Sequence, residues 1–108
     1  MELITNLEGV EKLIKEQKLV LLFFGSQDCG VCRDLKPKLE TLLEQYPQIR
    51  SAYIDTNEFM ELAAFHSIFS IPAVLVFIEG KEVIREARYI SLRQLQSRIE
   101  RYYHLLFC

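Results

Sequence analysis

The feature that most constrains this chain is an unbroken apolar run, Leu19–Phe24, which lies between Lys18 and Gly25. The run is far shorter than the roughly 20 residues that a helix needs to cross a bilayer. It also lacks the alternation of polar and apolar residues that marks a strand with one face in water. A short, continuous apolar run that ends at a turn residue is typical of a strand buried on both faces. The sequence therefore predicts a central strand, covered by other elements on both sides.

A long helix is predicted directly after this strand. Its apolar face is formed by residues spaced three or four apart, namely Val31, Leu35, Leu39, Leu42 and Tyr46. Pro37 removes one backbone donor and crowds the carbonyl four residues earlier, which predicts a kink near 33–36, and Pro47 should end the helix. Ile49–Asp55 is predicted to be the next strand. A strand, a helix and a strand joined by short loops favour a right-handed crossover between parallel strands.

The rest of the chain continues the alternation of helices and strands. Thr5 and Glu8 resemble a capping box at the start of a first helix that extends to about Gln17, and a minor strand is possible at 2–4. The remaining predicted elements are a helix from Thr56 or Asn57 to His66, a strand Ala73–Ile78, a turn Glu79–Lys81, a strand Glu82–Tyr89, and a final helix capped by Ser91 with Gln94. With no repeat or linker, residues 1–108 are expected to form one α/β domain.

Charge and composition exclude several classes of function. The chain has 13 Lys and Arg and 15 Asp and Glu, which gives a formal net charge of -2. No basic block of the kind that follows a phosphate backbone is present, so a nucleic-acid partner is not expected. The N-terminus lacks the positive start and apolar stretch of a signal peptide, and no run is long enough to span a membrane. These features predict a cytoplasmic protein with no membrane association.

Two of the three cysteines, Cys29 and Cys32, are placed where the long helix should begin. There the sulfur of Cys29 would face unpaired backbone N–H groups and the positive end of the helix dipole, which favour a thiolate. Cys32 returns to the same side of the helix, so the two sulfurs can form a reversible disulfide. Arg33 and Lys36 are expected to help stabilise the negative sulfur of Cys29, whereas the carboxylate of Asp28 should oppose it.

Two other roles are compatible with this pair. The cysteines could be buried packing residues with no chemistry. They could also supply half of a tetrahedral zinc site. The other half would have to come from Cys108, His66 and His104, none of which forms a second closely spaced pair. A pair that opens a helix after a buried strand is typical of redox function, so neither a metal nor another cofactor is expected.

With these motifs in place, the sequence resembles the thioredoxin family over nearly the whole chain. The resemblance rests on the Cys-Gly-Val-Cys motif after Leu19–Phe24, on Pro37, on Asp55, and on the Ile71-Pro72 pair before the hairpin at 77–80. It implies a thioredoxin fold, with a central mixed sheet of about four to five strands flanked by helices on both faces. About 5% of X-Pro bonds in folded proteins are cis, so spacing alone favours trans. The resemblance instead implies a cis bond at Pro72, in a loop that lies against the cysteines.

The resemblance also implies roles for individual residues. Cys29 would attack a substrate disulfide and Cys32 would resolve the resulting mixed disulfide. Gly30, Val31, Ile71, Pro72 and Arg88 would border the groove in which an extended substrate segment pairs with the backbone.

The sequence departs from the family pattern at several of these places. Asp28 replaces a usual tryptophan, Val31 replaces a usual proline, and Arg88 stands near a usual glycine. Phe23 and Ser51 occupy the positions of the buried aspartate and its lysine partner, which normally manage the proton of the resolving thiol. Cys32 is therefore expected to lose its proton more slowly, unless a water or another side chain serves. These departures favour a specialised member of the family.

The leading hypothesis is a monomeric, cofactor-free thiol–disulfide oxidoreductase that reduces disulfides in partner proteins. By resemblance, its electrons would come from a thioredoxin reductase or a similar dithiol system. The alternatives are a non-catalytic binding module that uses the Pro72 groove, and an oxidant or isomerase.

Further expectations concern residues outside the motif. Cys108 is expected to be incidental, and His66 and His104 to be surface or half-buried residues. The apolar end Leu105–Phe107 should pack on the sheet. One further set is predicted to be core because its members follow strand and helix faces, namely Phe23, Phe24, Phe59, Phe65, Phe69 and Phe77.

Overall fold

The computed structural model describes residues 1–3 and 6–108 and shows a five-stranded mixed sheet. The elements in chain order are β1 (Glu2–Leu3), α1 (Leu7–Glu16), β2 (Leu19–Gly25), α2 (Gly30–Leu43), β3 (Arg50–Asp55), α3 (Met60–Phe65), β4 (Ala73–Ile78), β5 (Lys81–Ala87) and α4 (Leu92–Phe107). The strand order is β1-β3-β2-β4-β5. β1 and β2 pair with β3 in parallel, while β2–β4 and β4–β5 are antiparallel. The predicted fold class is confirmed.

The apolar run of β2 lies at the centre of the sheet and is fully buried. Its side chains alternate between two cores. Val20, Leu22 and Phe24 face the core that α1 and α3 cover. Leu19, Leu21 and Phe23 face the core that α2 and α4 cover. A strand with helices on both faces has no polar side, which explains why the run shows no alternation.

The helix that carries the cysteines differs from its prediction at the C-terminal end. α2 ends at Leu43, and Tyr46 follows in a turn where it remains buried at 4% exposure. The helix continues past Pro37, whose carbonyl accepts a hydrogen bond from Thr41 Oγ1 (3.0 Å). The kink at 33–36 stays a prediction.

The helix starts differ from prediction at two places. The capping side chain of α1 is Asn6, whose Oδ1 accepts a hydrogen bond from the Gly9 amide; the predicted cap Thr5 lies outside the described residues. α3 begins at Met60, later than predicted, because the backbone after Asp55 is held in a turn. Ser91 caps α4 as predicted, with its Oγ accepting from the Gln94 amide.

The prediction that six aromatic residues belong to the core is wrong for two of them. Phe65 is 57% exposed and Phe69 is 88% exposed. α3 is only six residues long, and the chain turns away at Ser67, whose φ of 57° reverses the backbone. Phe69 therefore lies on a loop that no sheet face covers. At the other end of the chain, Leu106 and Phe107 pack on the second core, whereas Leu105 is exposed.

Candidate active site

The two cysteines lie at the start of α2, where β2 ends at the middle of the sheet. Cys29 is the N-cap residue with extended backbone geometry, and its Sγ accepts a hydrogen bond from the backbone amide of Cys32 (3.2 Å). The sulfur of Cys29 thereby pairs with an amide that the first helical turn leaves without a partner. Both cysteines are free thiols in this structure. The predicted placement of Cys29 at the helix start is what the structure shows.

The two thiols have different environments. Cys29 is partly exposed, whereas Cys32 is 2% exposed and belongs to the core beneath α2 and α4. Burial raises the pKa of the Cys32 thiol from 9.0 to about 11, and the hydrogen bond to Cys29 adds to the rise. One sulfur is therefore open to visiting molecules while its neighbour stays protonated at neutral pH.

A polar network holds the loop between β2 and α2. Ser26 is 3% exposed, and its Oγ accepts hydrogen bonds from the Asp28 amide (3.1 Å) and from Asn57 Nδ2 (2.9 Å). Asn57 Nδ2 also donates to the carboxylate of Asp28 (3.3 Å). The carboxylate of Asp55 accepts from the Asn57 and Glu58 amides (2.8 and 3.2 Å). The loop after β3 thus fixes the loop that carries Cys29.

This network was not predicted from the sequence. The sequence analysis uses Asp55 as a strand end and in the family resemblance, names Asn57 only as a possible helix start, and assigns no role to Ser26. A usable signal existed: polar residues that directly follow two neighbouring parallel strands lie at the same edge of the sheet.

The residues predicted to border a substrate groove lie in the first turn of α2, in the loop before β4 and directly after β5. The Ile71–Pro72 peptide bond is cis, and Pro72 is buried. The Arg88 amide donates to the Pro72 carbonyl (2.9 Å), and Arg88 has a φ of 69°, in the left-handed region that favours glycine. Gly30 and Val31 are exposed, whereas Ile71 is partly buried.

Exposed apolar side chains that were not predicted lie near these loops in sequence. Tyr89, beside Arg88, is 93% exposed, and Phe69 lies two residues before Ile71. Phe69 and Met60 also line one open pocket with Asn57. The sequence analysis assigned Phe69 to the core, so it missed this surface.

Arg33 and Lys36 follow Cys32 on α2 by one residue and by one turn, and their predicted stabilisation of the Cys29 sulfur stays a prediction. Both line a small cleft with Cys32, Tyr53, Ser26 and Gln27. Lys36 Nζ lies 5.3 Å from the centre of the Tyr53 ring and 3.9 Å from Glu40 Oε2. Tyr53 was not singled out from the sequence. Among the described residues, no group of three or more His, Cys, Asp or Glu side chains is placed to hold a metal ion.

A partly exposed thiol at a helix start and a buried thiol one turn later, on an α/β fold that also has a cis-proline before β4, are typical of a thiol–disulfide oxidoreductase. The comparisons place the chain within that class. The sequence model described as Thioredoxin matches residues 3–101, and the chain belongs to the thioredoxin family.

Individual relatives agree with this assignment. The chain is 34% identical over 100 residues to the thioredoxin-like protein YdfQ of Bacillus subtilis, covering 93% of this chain and 89% of that protein. It is 33% identical over 75 residues to thioredoxin-1 of Saccharomyces cerevisiae, covering 69% and 73%. The X-ray structure of Fasciola hepatica thioredoxin superposes with a TM-score of 0.85 at 31% identity, covering 94% of this chain and 98% of that chain.

No helix among the residues that the structure describes is long and apolar enough to cross a membrane.

Proposed function

We propose that this chain reduces disulfides in partner proteins, with Cys29 as the attacking thiolate and Cys32 as the resolving thiol. The observation that carries the proposal is the hydrogen bond from the Cys32 amide to Cys29 Sγ at the start of α2. An amide donor aimed at a sulfur stabilises negative charge on it. The partly exposed position of Cys29 supports attack on an external disulfide, and the buried position of Cys32 supports a later, internal step.

The reaction proceeds through two exchanges. The thiolate of Cys29 attacks one sulfur of the substrate disulfide, the substrate S–S bond breaks, and the other substrate sulfur leaves with the electron pair and takes up a proton. Cys32 then loses its proton and attacks Cys29 Sγ, which releases the second substrate thiolate. Two electrons pass to the substrate, and a Cys29–Cys32 disulfide remains. A second dithiol system, by resemblance a thioredoxin reductase, returns the pair to its reduced form.

The groove proposed for the substrate is bordered by Gly30, Val31, Ile71, Pro72 and Arg88. An extended segment would pair with the backbone of the loop at Pro72, and the exposed Val31 would contact its side chains. The guanidinium of Arg88 would favour a substrate with an acidic residue near its disulfide. We propose that residues 1–108 act as a monomer without a cofactor, in the cytoplasm, where the reducing poise would keep the pair as a dithiol.

Reduction of insulin disulfides by dithiothreitol tests the proposal. The chain should accelerate precipitation of the insulin B chain, and Cys29→Ser should abolish the acceleration, while Cys108→Ser, at an exposed position, should leave it unchanged. Cys32→Ser should accumulate a mixed disulfide through Cys29, visible by mass spectrometry. No acceleration, together with no effect of Cys29→Ser, would favour the non-catalytic binding module.

The direction of electron flow is tested by a separate experiment. Equilibration with glutathione gives the reduction potential, where about 30 mV corresponds to a tenfold change for a two-electron couple. A potential well above the glutathione poise would favour the oxidant or isomerase alternative.

A further inference from the structure

The cleft beside Cys32 opens a path from solvent to a thiol that is otherwise buried. Its volume is about 180 Å³, which is room for several water molecules. Three of its lining residues determine its character: Cys32, Lys36 and Tyr53. Cys29 is not among the residues that line the cleft. A buried thiol with its own water-accessible cleft can exchange its proton without passing through the substrate groove.

The second exchange requires Cys32 to lose a proton that its surroundings retain. Burial raises the pKa of this thiol to about 11. The carboxylate on the neighbouring strand β3, Asp55, lies in register with Gly25 and already accepts hydrogen bonds from the Asn57 and Glu58 amides. On β2, Phe23 lies in register with Tyr53, and the two rings pack with centroids 5.6 Å apart. Neither ring can accept the proton or supply positive charge. The charge that stabilises the developing Cys32 thiolate therefore has to come from another side chain.

Lys36 is placed to supply that charge. It follows Cys32 by one helical turn, so the two side chains project from the same face of α2. The ammonium lies 5.3 Å from the centre of the Tyr53 ring, a cation–π distance. Its other partner is Glu40, at 3.9 Å and with both side chains about 40% exposed, which is a weak surface pair. Tyr53 therefore helps to keep the ammonium over the cleft.

Tyr53 itself stays neutral. Its pKa is raised above the usual value, first by burial and next by the negative charge of Asp55, with smaller effects from Cys32, Cys29 and Glu58. A phenol that holds its proton this firmly does not serve as a base at neutral pH. Tyr53 contributes its aromatic ring, which contacts the Lys36 ammonium. Arg33 and Lys36 are the cations that line the cleft.

We propose that the cleft beside Cys32 is the route by which the resolving thiol gives its proton to water, and that Lys36, positioned by the Tyr53 ring, stabilises the Cys32 thiolate that forms. This inference rests on the proposed function. The proton passes from Cys32 Sγ to a water molecule in the cleft and then to solvent. The thiolate next attacks Cys29 Sγ, the bond between Cys29 and the substrate sulfur breaks, and the released substrate thiolate takes up a proton from solvent. Lys36 and Tyr53 are positioning residues.

The two exchanges can be timed separately with 5,5′-dithiobis(2-nitrobenzoate). In a Cys108→Ser background, attack by Cys29 releases the first thionitrobenzoate, and attack by Cys32 on the mixed disulfide releases the second. Stopped-flow absorbance between pH 6 and 10 gives both rates. For Lys36→Met, we expect the second release at pH 7.5 to slow about tenfold and its pH midpoint to move upward, while the first release stays within about twofold. Lys36→Arg should restore the second rate because it keeps the positive charge.

Two further variants distinguish charge and positioning from general damage. Lys38→Met removes an exposed cation from the same helix without touching the cleft, and should change neither rate. Tyr53→Phe keeps the ring and should resemble the wild type, whereas Tyr53→Leu should slow the second release and shift its pH midpoint in the same direction as Lys36→Met.

Each outcome has a defined meaning. An unreactive Cys29, seen as a missing first release, would contradict the proposed function. A normal first release with a second release that Lys36→Met leaves unchanged would overturn only the inference about the cleft. Equal slowing of both releases would also overturn it, because Lys36 would then act on Cys29.

Discussion

Gly25 packs so closely against Cys32 that a β-carbon on Gly25 would lie 3.2 Å from the Cys32 sulfur. The same β-carbon would lie 3.1 Å from Cys32 Cβ and 3.4 Å from Tyr53 Cε1. The last residue of β2 thus leaves the space in which the resolving thiol and the Tyr53 ring meet. The absence of a side chain at Gly25 is part of what gives Cys32 its position.

Gly25→Ala is expected to destabilise the protein and to disturb Cys32. The added methyl must displace either the sulfur or the ring in a closely packed region, which typically costs about 1–3 kcal/mol. Urea unfolding measures the loss. Gly30→Ala is the matched control: its β-carbon would meet only Arg33 Nη2, at 3.9 Å, and the position lies in the first turn of α2. That variant should be neutral or slightly stabilising, and equal losses in both variants would contradict the packing explanation.

Asp28→Asn should make Cys29 more reactive. The carboxylate of Asp28 is adjacent in sequence to Cys29 and disfavours a second negative charge nearby, an effect of about 1 kcal/mol or less at an exposed site. The amide keeps a hydrogen-bond acceptor for Asn57 Nδ2. Iodoacetamide alkylation of Cys29 at pH 7 should accelerate by about two- to fivefold. Asp34→Asn, on the exposed side of α2, serves as the control. An unchanged rate would show that Asp28 acts through the loop network alone.

His66 should make the native state sensitive to acid. Its pKa is lowered, chiefly by burial among the rings of Phe24, Phe65 and Phe77, and Glu11, 3.1 Å away, offsets this only in part. Arg85 opposes and Glu82 favours its protonation.

A lowered histidine pKa means that the unfolded chain binds the proton first as pH falls. The free energy of unfolding should therefore be highest above about pH 6.5 and decrease as the pH falls through the native pKa. Comparison of urea midpoints at pH 7.5 and pH 5 should give a smaller decrease for His66→Gln than for the wild type. His104→Gln, at an exposed site, should behave like the wild type. An unchanged decrease in His66→Gln would contradict the assignment.

Arg85 holds the turn after α3 in place. Its guanidinium donates to both Glu82 carboxylate oxygens (2.8 Å each) and to the carbonyls of His66 and Ser67 (2.8 and 3.2 Å). Arg85→Met should cost about 1–2 kcal/mol and increase amide hydrogen exchange at 66–69. Arg98→Met, which removes only an exposed contact to Glu86 at 3.5 Å, should cost less than about 0.5 kcal/mol. Unchanged exchange at 66–69 would show that the turn does not depend on Arg85.

The sequence analysis is right where structure depends on local pattern and wrong where it depends on contacts between distant segments. Leu19–Phe24 was predicted well because a short, continuous apolar run is typical of a buried strand. Phe65 and Phe69 were assigned to the core because they were taken to follow a buried face, whereas Phe65 lies on an exposed face of α3 and Phe69 lies on the loop after Ser67. The turn at Ser67 depends on carbonyls that Arg85 binds from a distant strand, and no local pattern encodes that contact.

In the candidate site too, residues placed by local spacing were predicted and residues brought in by strand pairing were not. Cys29 at the start of a helix followed from local spacing, and so did Cys32 on the same face. Asn57 and Tyr53 are not near the cysteines in sequence. They reach the site because β3 pairs in parallel with β2 in one register, which places Asp55 opposite Gly25 and Tyr53 opposite Phe23.

By itself, the sequence determined the central strand, the alternation of helices and strands, and the cysteine pair at a helix start, because each depends on residues within one or two turns of chain. Tertiary structure alone decided which side chains meet Cys32. Its burial, the cleft beside it and the ammonium over the Tyr53 ring arise where three separate elements, β2, β3 and α2, come together. Contacts between distant segments depend on strand register and helix packing, which short-range patterns do not specify.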